Sequence, residues 1–325
     1  MGYIMGATPL PLPHRGRSAP SPSGPLHLGN LRTALLAWLL ARRAGGAFVL
    51  RLEDLDLPRV RPGAAQAILD DMRWLGLDWD EGPDVGGPHA PYTQSERGPL
   101  YNHYLTILLQ AGLVYPCYCS RAEVARAASA PHGAGEDGPR YPGTCRDPHR
   151  RAIQQTRAGE RLPALRFAVP AGVVAYRDDL YGPIEQDVAQ AVGDFVVRRA
   201  DGVPAYQFAV VVDDALMAIT DVVRGADLLS STPRQILLYQ ALGFPAPRFL
   251  HVPLALDTLG ERLAKRSGAA GLAGPRAAGA TPEQVVGALA ASAGLLPPGA
   301  AISAADLLAS FDPTRITHLP SVICL

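Results

Sequence analysis

The chain has 325 residues, 48% of them hydrophobic, which excludes a disordered polypeptide and gives ample core for more than one domain. Thirty basic and thirty acidic residues cancel, so there is no global pull toward nucleic acid, and any RNA contact must use a local basic patch. No apolar run reaches the ~18 residues of a membrane span, the first thirteen residues lack a secretory pattern, and four cysteines read as thiols or metal ligands in a cytoplasmic protein.

In chain order, residues 31–43 carry a helical pattern that Gly45-Gly46 stops. Phe48-Val-Leu-Arg-Leu52 reads as a short buried strand ending in Glu53-Asp54-Leu-Asp56. Such an acidic strand end suits a parallel sheet whose ligand lies at the strand C-termini. Pro62 opens a second helix with Ile68, Leu69, Met72 and Leu75 on one face. Residues 82–92 form a loop, and 101–112 another helix. Clustered Cys, Gly, Pro and His from Tyr115 to about residue 160 suggest an inserted module, with a loop over 128–140. Tyr206–Val212 reads as an apolar strand ending in Asp213-Asp214, and a further strand from Ala218 runs into Arg224-Gly225. Residues 233–242 are helical, and short helical runs follow Ser267.

Several motifs bear chemistry. Ser18-Ala-Pro-Ser-Pro-Ser-Gly-Pro-Leu-His27-Leu-Gly29-Asn30-Leu-Arg32 sets a histidine and a glycine two apart at a helix start. Free helix N–H groups and the imidazole can face negative charge there, and Gly29 lets a ring or backbone come close. The plainer alternative is a histidine that caps the helix. Cys117-Tyr-Cys119 and Tyr141-Pro-Gly-Thr-Cys145 supply three thiols, one short of a usual structural Zn2+ site. His132 or His149 would be orthodox fourth ligands, and three reduced thiols without metal are the alternative.

His27-Leu-Gly29-Asn30, Arg51-Leu-Glu53-Asp54, Val210–Asp214 with Val223–Asp227, and Arg262-Leu-Ala-Lys265-Arg266 occur in that order. Together with Ala19-Pro-Ser-Pro-Ser-Gly24 they resemble the class I aminoacyl-tRNA synthetases, in particular the glutamyl-tRNA synthetase group, from about Arg17 to Gly268. The resemblance implies a split Rossmann-type, doubly wound α/β sheet. Residues 1–97 would form its first half, 98–204 an inserted zinc-bearing module, 205–260 the second half, and 261–325 a phosphate loop and a small helical region. It implies a ligase that activates L-glutamate with ATP and Mg2+. The chain is short for the group and resembles its truncated branch, which transfers glutamate to queuosine in the anticodon of tRNA(Asp).

By this resemblance His27, Gly29, Asn30, Arg262 and Lys265 hold ATP, with His27 and Lys265 stabilising charge as pyrophosphate leaves. Asn30 departs from the family's second histidine but can still cap the helix. Arg262, Ala264 and Arg266 also depart from the usual phosphate loop, which stays basic. Arg17, Ser18, Ala19, Pro20, Ser21, Glu53, Tyr206 and Arg224 match the glutamate-binding positions. A guanidinium suits the substrate's side-chain carboxylate and Glu53 its ammonium. Alternatives are an Arg224 ion pair with Asp221 or Asp227 and a solvated Glu53. The resemblance makes Tyr141 the fourth zinc ligand beside Cys117, Cys119 and Cys145. Asp213-Asp214 is expected to close the sheet near the ribose or shape a turn. Rival functions are charging of tRNA(Glu), tRNA binding without catalysis, and small-molecule nucleotidyl transfer. Nothing demands more than a monomer.

Overall fold

A computed structural model describes residues 13–128, 139–256 and 271–324. Arg262, Lys265 and His132, and most of the expected 128–140 loop, lie outside them. The first half runs β1 (Arg15–Ser18), α1 (Leu28–Arg43), β2 (Ala47–Leu50) and α2 (Ala64–Trp74). The middle holds α3 (Gly98–Gln110), β3 (Val114–Cys117), α4 (Arg121–Ala128), α5 (Pro148–Ala158), β4 (Ala164–Phe167), β5 (Val174–Asp178), β6 (Gly182–Gln186), α6 (Val188–Ala191) and β7 (Phe195–Arg198). The second half is α7 (Tyr206–Leu216), β8 (Asp221–Gly225), α8 (Thr232–Leu242), β9 (Arg248–Val252) and β10 (Ala255–Leu256). The chain closes with α9 (Ala273–Ala277), α10 (Pro282–Ser292), α11 (Ala304–Ser310) and β11 (Ser321–Val322).

The large sheet has the order β2-β1-β8-β9-β5-β6, parallel except for the β5–β6 hairpin at its edge. Alternate strand residues go to opposite cores. Phe48, Leu50 and Val223 pack with α1, α2, α10 and α11, whereas Val49 and Val222 pack with α3, α7 and α8. Helices therefore cover both faces, the arrangement of a doubly wound Rossmann-like sheet. Within residues 98–204, β3, β4 and β7 form a separate antiparallel sheet, while β5 and β6 extend the large one. β11 pairs with β10, and Arg32 in α1 donates to Ser321 Oγ (2.9 Å) and to the Pro253 carbonyl, tying the C-terminal segment to the cleft wall. No helix among the described residues is long and apolar enough to cross a membrane.

One expected strand is corrected. Tyr206–Val212 is the start of helix α7, with Phe208 to Asp214 all buried. An unbroken apolar run carries no period, so a strand and a buried helix look alike in sequence. The preceding Pro204, and eleven residues of regular structure, mark the helix.

Candidate active site

β1 and β8 are neighbours whose connections leave in opposite directions, through α1 to β2 and through α8 to β9. Their C-terminal ends therefore bound a crevice, the place where doubly wound sheets bind ligands. The cleft is lined by Arg17, Ser18, Ala19, Pro20, His27, Gly29, Asn30, Glu53, Tyr206 and Arg224. All but one of the expected described cleft residues thus come together. Ser21 instead lines an adjoining cavity of about 1040 Å3, which shares Glu53 and Tyr206 with the cleft and reaches Cys117 and Cys119.

The loop after β1 is held rigidly. Arg51 N–H donates to the Ser18 carbonyl, Glu53 N–H to Pro20 and Arg61 N–H to Pro22, each at 3.0 Å. These bonds carry the β1–β2 ladder into the 18–22 segment, where the prolines have no N–H to satisfy. His27 is the N-cap of α1, and its Nδ1 accepts the Asn30 N–H at 3.2 Å. The capping side chain is thus His27, not Asn30. Nδ1 is an acceptor, so the neutral ring carries its proton on Nε2. Capping and lining the cleft prove compatible. A Cβ on Gly29 would stand 3.1 Å from His27 Nδ1 and 3.2 Å from the Ala255 Cβ. Glycine is what lets the imidazole and β10 close around the helix start.

Beneath the cleft lies a buried ionic network that the sequence reading missed. Asp214 accepts from Arg51 Nη1 at 2.7 Å and from Arg17 Nε at 3.4 Å. Arg51 Nη2 donates to Glu53 Oε1 at 3.0 Å. Asp213 accepts from Arg97 Nε (2.6 Å), Gln94 Nε2 (2.7 Å) and Tyr101 Oη (2.9 Å). The Asp213-Asp214 pair is therefore neither a turn nor the sheet's edge. It sits in α7, where Asp214 holds Arg17 directly and Glu53 by way of Arg51. Burial pushes the Glu53 carboxyl above its ordinary value, against the pull of Arg51 and Arg17.

Arg224 has a different environment. The expected alternative pairing with Asp221 does not form, because Asp221 is taken by Arg248 and His14. Arg224 donates instead to neutral acceptors, from Nε to His251 Nε2 (3.0 Å) and from Nη2 to Thr232 Oγ1 (2.8 Å). Its Nη1 is buried with no hydrogen-bond partner among the described residues. Burial lowers the guanidinium's pKa, and Tyr206 at the cleft mouth partly opposes this. A buried cation with no carboxylate hydrogen-bonded to it is costly in the free protein, and an arriving anion offsets that cost.

The three expected thiols also converge. The sulfurs of Cys117, Cys119 and Cys145 lie within 4.8 Å of one another, with Cys119 and Cys145 3.6 Å apart. Tetrahedral Zn–S bonds of about 2.3 Å require sulfurs about 3.8 Å apart. The Tyr141 hydroxyl is 3.4 Å from Cys117 Sγ and 3.9 Å from Cys119 Sγ, and accepts the Cys145 N–H at 2.7 Å. His149 is exposed on α5 and does not join the cluster. The donor set thus suits a thiophilic ion with Tyr141 as its fourth neighbour.

The match with known proteins agrees with this geometry. The family of class I tRNA synthetases (E and Q), catalytic domain, covers residues 14–291, and the chain belongs to it. Within that family it groups with the glutamyl-Q tRNA(Asp) synthetases: the protein of that name from Symbiobacterium thermophilum is 58% identical over 94% of both chains. Glutamate–tRNA ligase 1 of Halorhodospira halophila is 48% identical over 94% of this chain but 64% of its own length. A glutamate tRNA ligase from Elizabethkingia meningosepticum, solved in complex with its amino acid, superposes with a TM-score of 0.81 at 30% identity, covering 96% of this chain and 67% of that one.

Proposed function

We propose that the protein activates L-glutamate with ATP and transfers it to queuosine in the anticodon of tRNA(Asp). The carrying observation is the cleft's charge pattern: Arg224 with an unpartnered Nη1 at one side, and Glu53, fixed by Arg51, at the other. A dicarboxylic amino acid presents a matching anion and ammonium. Its α-carboxylate attacks the α-phosphorus of ATP, giving glutamyl-adenylate and pyrophosphate. A hydroxyl of the queuosine cyclopentene ring then attacks the mixed anhydride, forming an ester and releasing AMP. His27 and the N-terminus of α1 stabilise phosphate charge, with Gly29 setting their approach. Arg262 and Lys265 balance the leaving pyrophosphate, and Mg2+ accompanies ATP. Charging of tRNA(Glu) is the second reading. It is favoured less, because the ligase relative is less similar.

The cavity beside Glu53 and Tyr206 suits the modified nucleoside, since it opens toward the module built from residues 98–204. Among residues 114–128 and 139–169 that module carries nine arginines and three acidic side chains, and α5 has no buried residue. A local basic surface of this kind attracts RNA phosphates despite a neutral chain. Cys117, Cys119, Cys145 and Tyr141 would hold Zn2+, which when bound supplies a structural cross-link between β3 and the loop before α5. The cytoplasm, where ATP, glutamate and tRNA meet, is the proposed place of action.

The activation step is tested by ATP–pyrophosphate exchange, which should require glutamate. Equal exchange with aspartate or glutamine would overturn the reading. In the same assay Gly29→Ala should raise the ATP KM about tenfold by displacing the His27 ring, while melting as wild type. An unchanged ATP KM would remove His27 from phosphate binding. Elemental analysis should find about one zinc per chain, falling several-fold in Cys145→Ser. A folded, active, zinc-free protein would contradict the metal assignment.

A further inference from the structure

Three adjacent parallel strands each end with one residue of a buried chain: Asp178 on β5, His251 on β9 and Arg224 on β8. The register pairs Arg224 directly with His251, and Asp178 with Phe249 two residues before His251. His251 Nδ1 lies 2.6 Å from Asp178 Oδ2, and its Nε2 lies 3.0 Å from Arg224 Nε. Both His251 and Asp178 are fully buried. Phe249 adds a ring face 5.2 Å from the Arg224 guanidinium carbon.

The hydrogen bonds fix the ring's tautomer. A guanidinium has only donors, so His251 Nε2 must accept. The proton therefore sits on Nδ1 and is donated to Asp178. The carboxylate is held in turn by the N–H groups of Leu180 (3.0 Å), Tyr181 (2.9 Å) and His251 (3.1 Å). An imidazolium would bring a second proton against the Arg224 Nε–H. The result is an arginine aimed by a neutral group. A carboxylate in the place of His251 would orient the guanidinium equally well, but it would also compete with an anionic substrate.

We infer that His251, held in its Nδ1–H form by Asp178, is a positioning residue that aims Arg224 at the substrate's side-chain carboxylate without tying the guanidinium into an ion pair. This rests on the proposed activation of glutamate.

The test is glutamate-dependent ATP–pyrophosphate exchange on the full chain, with each substrate varied. His251→Leu is expected to raise the glutamate KM about 10- to 100-fold, as for a lost hydrogen bond to a charged group, and to leave the ATP KM within about threefold. His251→Gln, which returns an acceptor to the Nε2 position, should recover most of the loss. Asp178→Asn can offer an N–H to Nδ1 and drive the ring proton to Nε2, so its glutamate KM should rise at least as far. In 15N-labelled wild-type protein at neutral pH, His251 should carry its proton on Nδ1. A wild-type glutamate KM in His251→Leu, or an Nε2–H tautomer, would overturn the positioning role and leave the function standing. A wild type that fails to activate glutamate would overturn both. Should His251→Leu not fold, the Asp178→Asn kinetics and the tautomer decide the matter.

Discussion

Alanine at position 214 is expected to destabilise the fold by about 3–5 kcal/mol, the usual cost of removing one partner from a buried charge network. Asp214 is 2% exposed and bridges Arg51 and Arg17, which are themselves buried. Without it Arg51 keeps Glu53 at 3.0 Å and Asp213 at 3.7 Å, but Arg17 loses its only ion-paired carboxylate among the described residues. Two guanidinium groups would then share too little negative charge in a dry interior. The damage should reach the cleft, because Arg51 is what fixes Glu53. Denaturant titration should show a lower midpoint, and the surviving folded fraction a raised glutamate KM. Wild-type stability in Asp214→Ala would show that the network is not a structural keystone. The pH dependence has a definite sign. Burial opposes ionisation of Asp214, but Arg51 and Arg17 outweigh it and hold its pKa below the ordinary value. Its contribution is therefore complete above about pH 4 and is lost as the pH falls through the depressed folded value.

Arg224→Leu should raise the glutamate KM by about 100- to 1000-fold, consistent with the 2–5 kcal/mol lost when a buried, hydrogen-bonded charge pair is truncated. The ATP KM should move far less. Arg224 differs from Arg17 and Arg51 because no described carboxylate is hydrogen-bonded to it. Leucine in its place leaves no anion stranded, so the free protein should stay folded with near wild-type stability. That contrast separates a binding residue from a structural one. Equal rises in both KM values, or a collapse of the fold, would argue against a contact with the substrate carboxylate.

Much of this site is legible in the sequence because its residues cluster locally. Residues 17–21 and 27–30 lie within one short stretch, and Glu53 follows closely on the apolar run of β2. The three cysteines lie in two short motifs, and their chemistry alone points to a metal. What escapes a linear reading is long-range. Asp213 and Asp214 look like a strand end because the run before them has no period, whereas α7 buries both under residues more than a hundred positions earlier. His251 sits in Arg248–Val252, too charged and short to stand out as a strand, and only the β8–β9 register brings it to Arg224. The basic surplus of residues 114–128 and 139–169 is hidden by a net charge of zero, since acidic residues elsewhere cancel it. That His149, an orthodox ligand by residue chemistry, stands apart while the Tyr141 hydroxyl lies beside the sulfurs is visible only in the fold.

The most direct test locates labelled glutamate on tRNA. The protein is incubated with ATP, labelled glutamate and tRNA pools with and without queuosine, and the labelled RNA is cut to separate the anticodon fragment from the 3′ end. Label confined to the anticodon fragment of queuosine-containing tRNA(Asp) is the predicted result. Label at the 3′ end of tRNA(Glu), at equal levels in both pools, would contradict it.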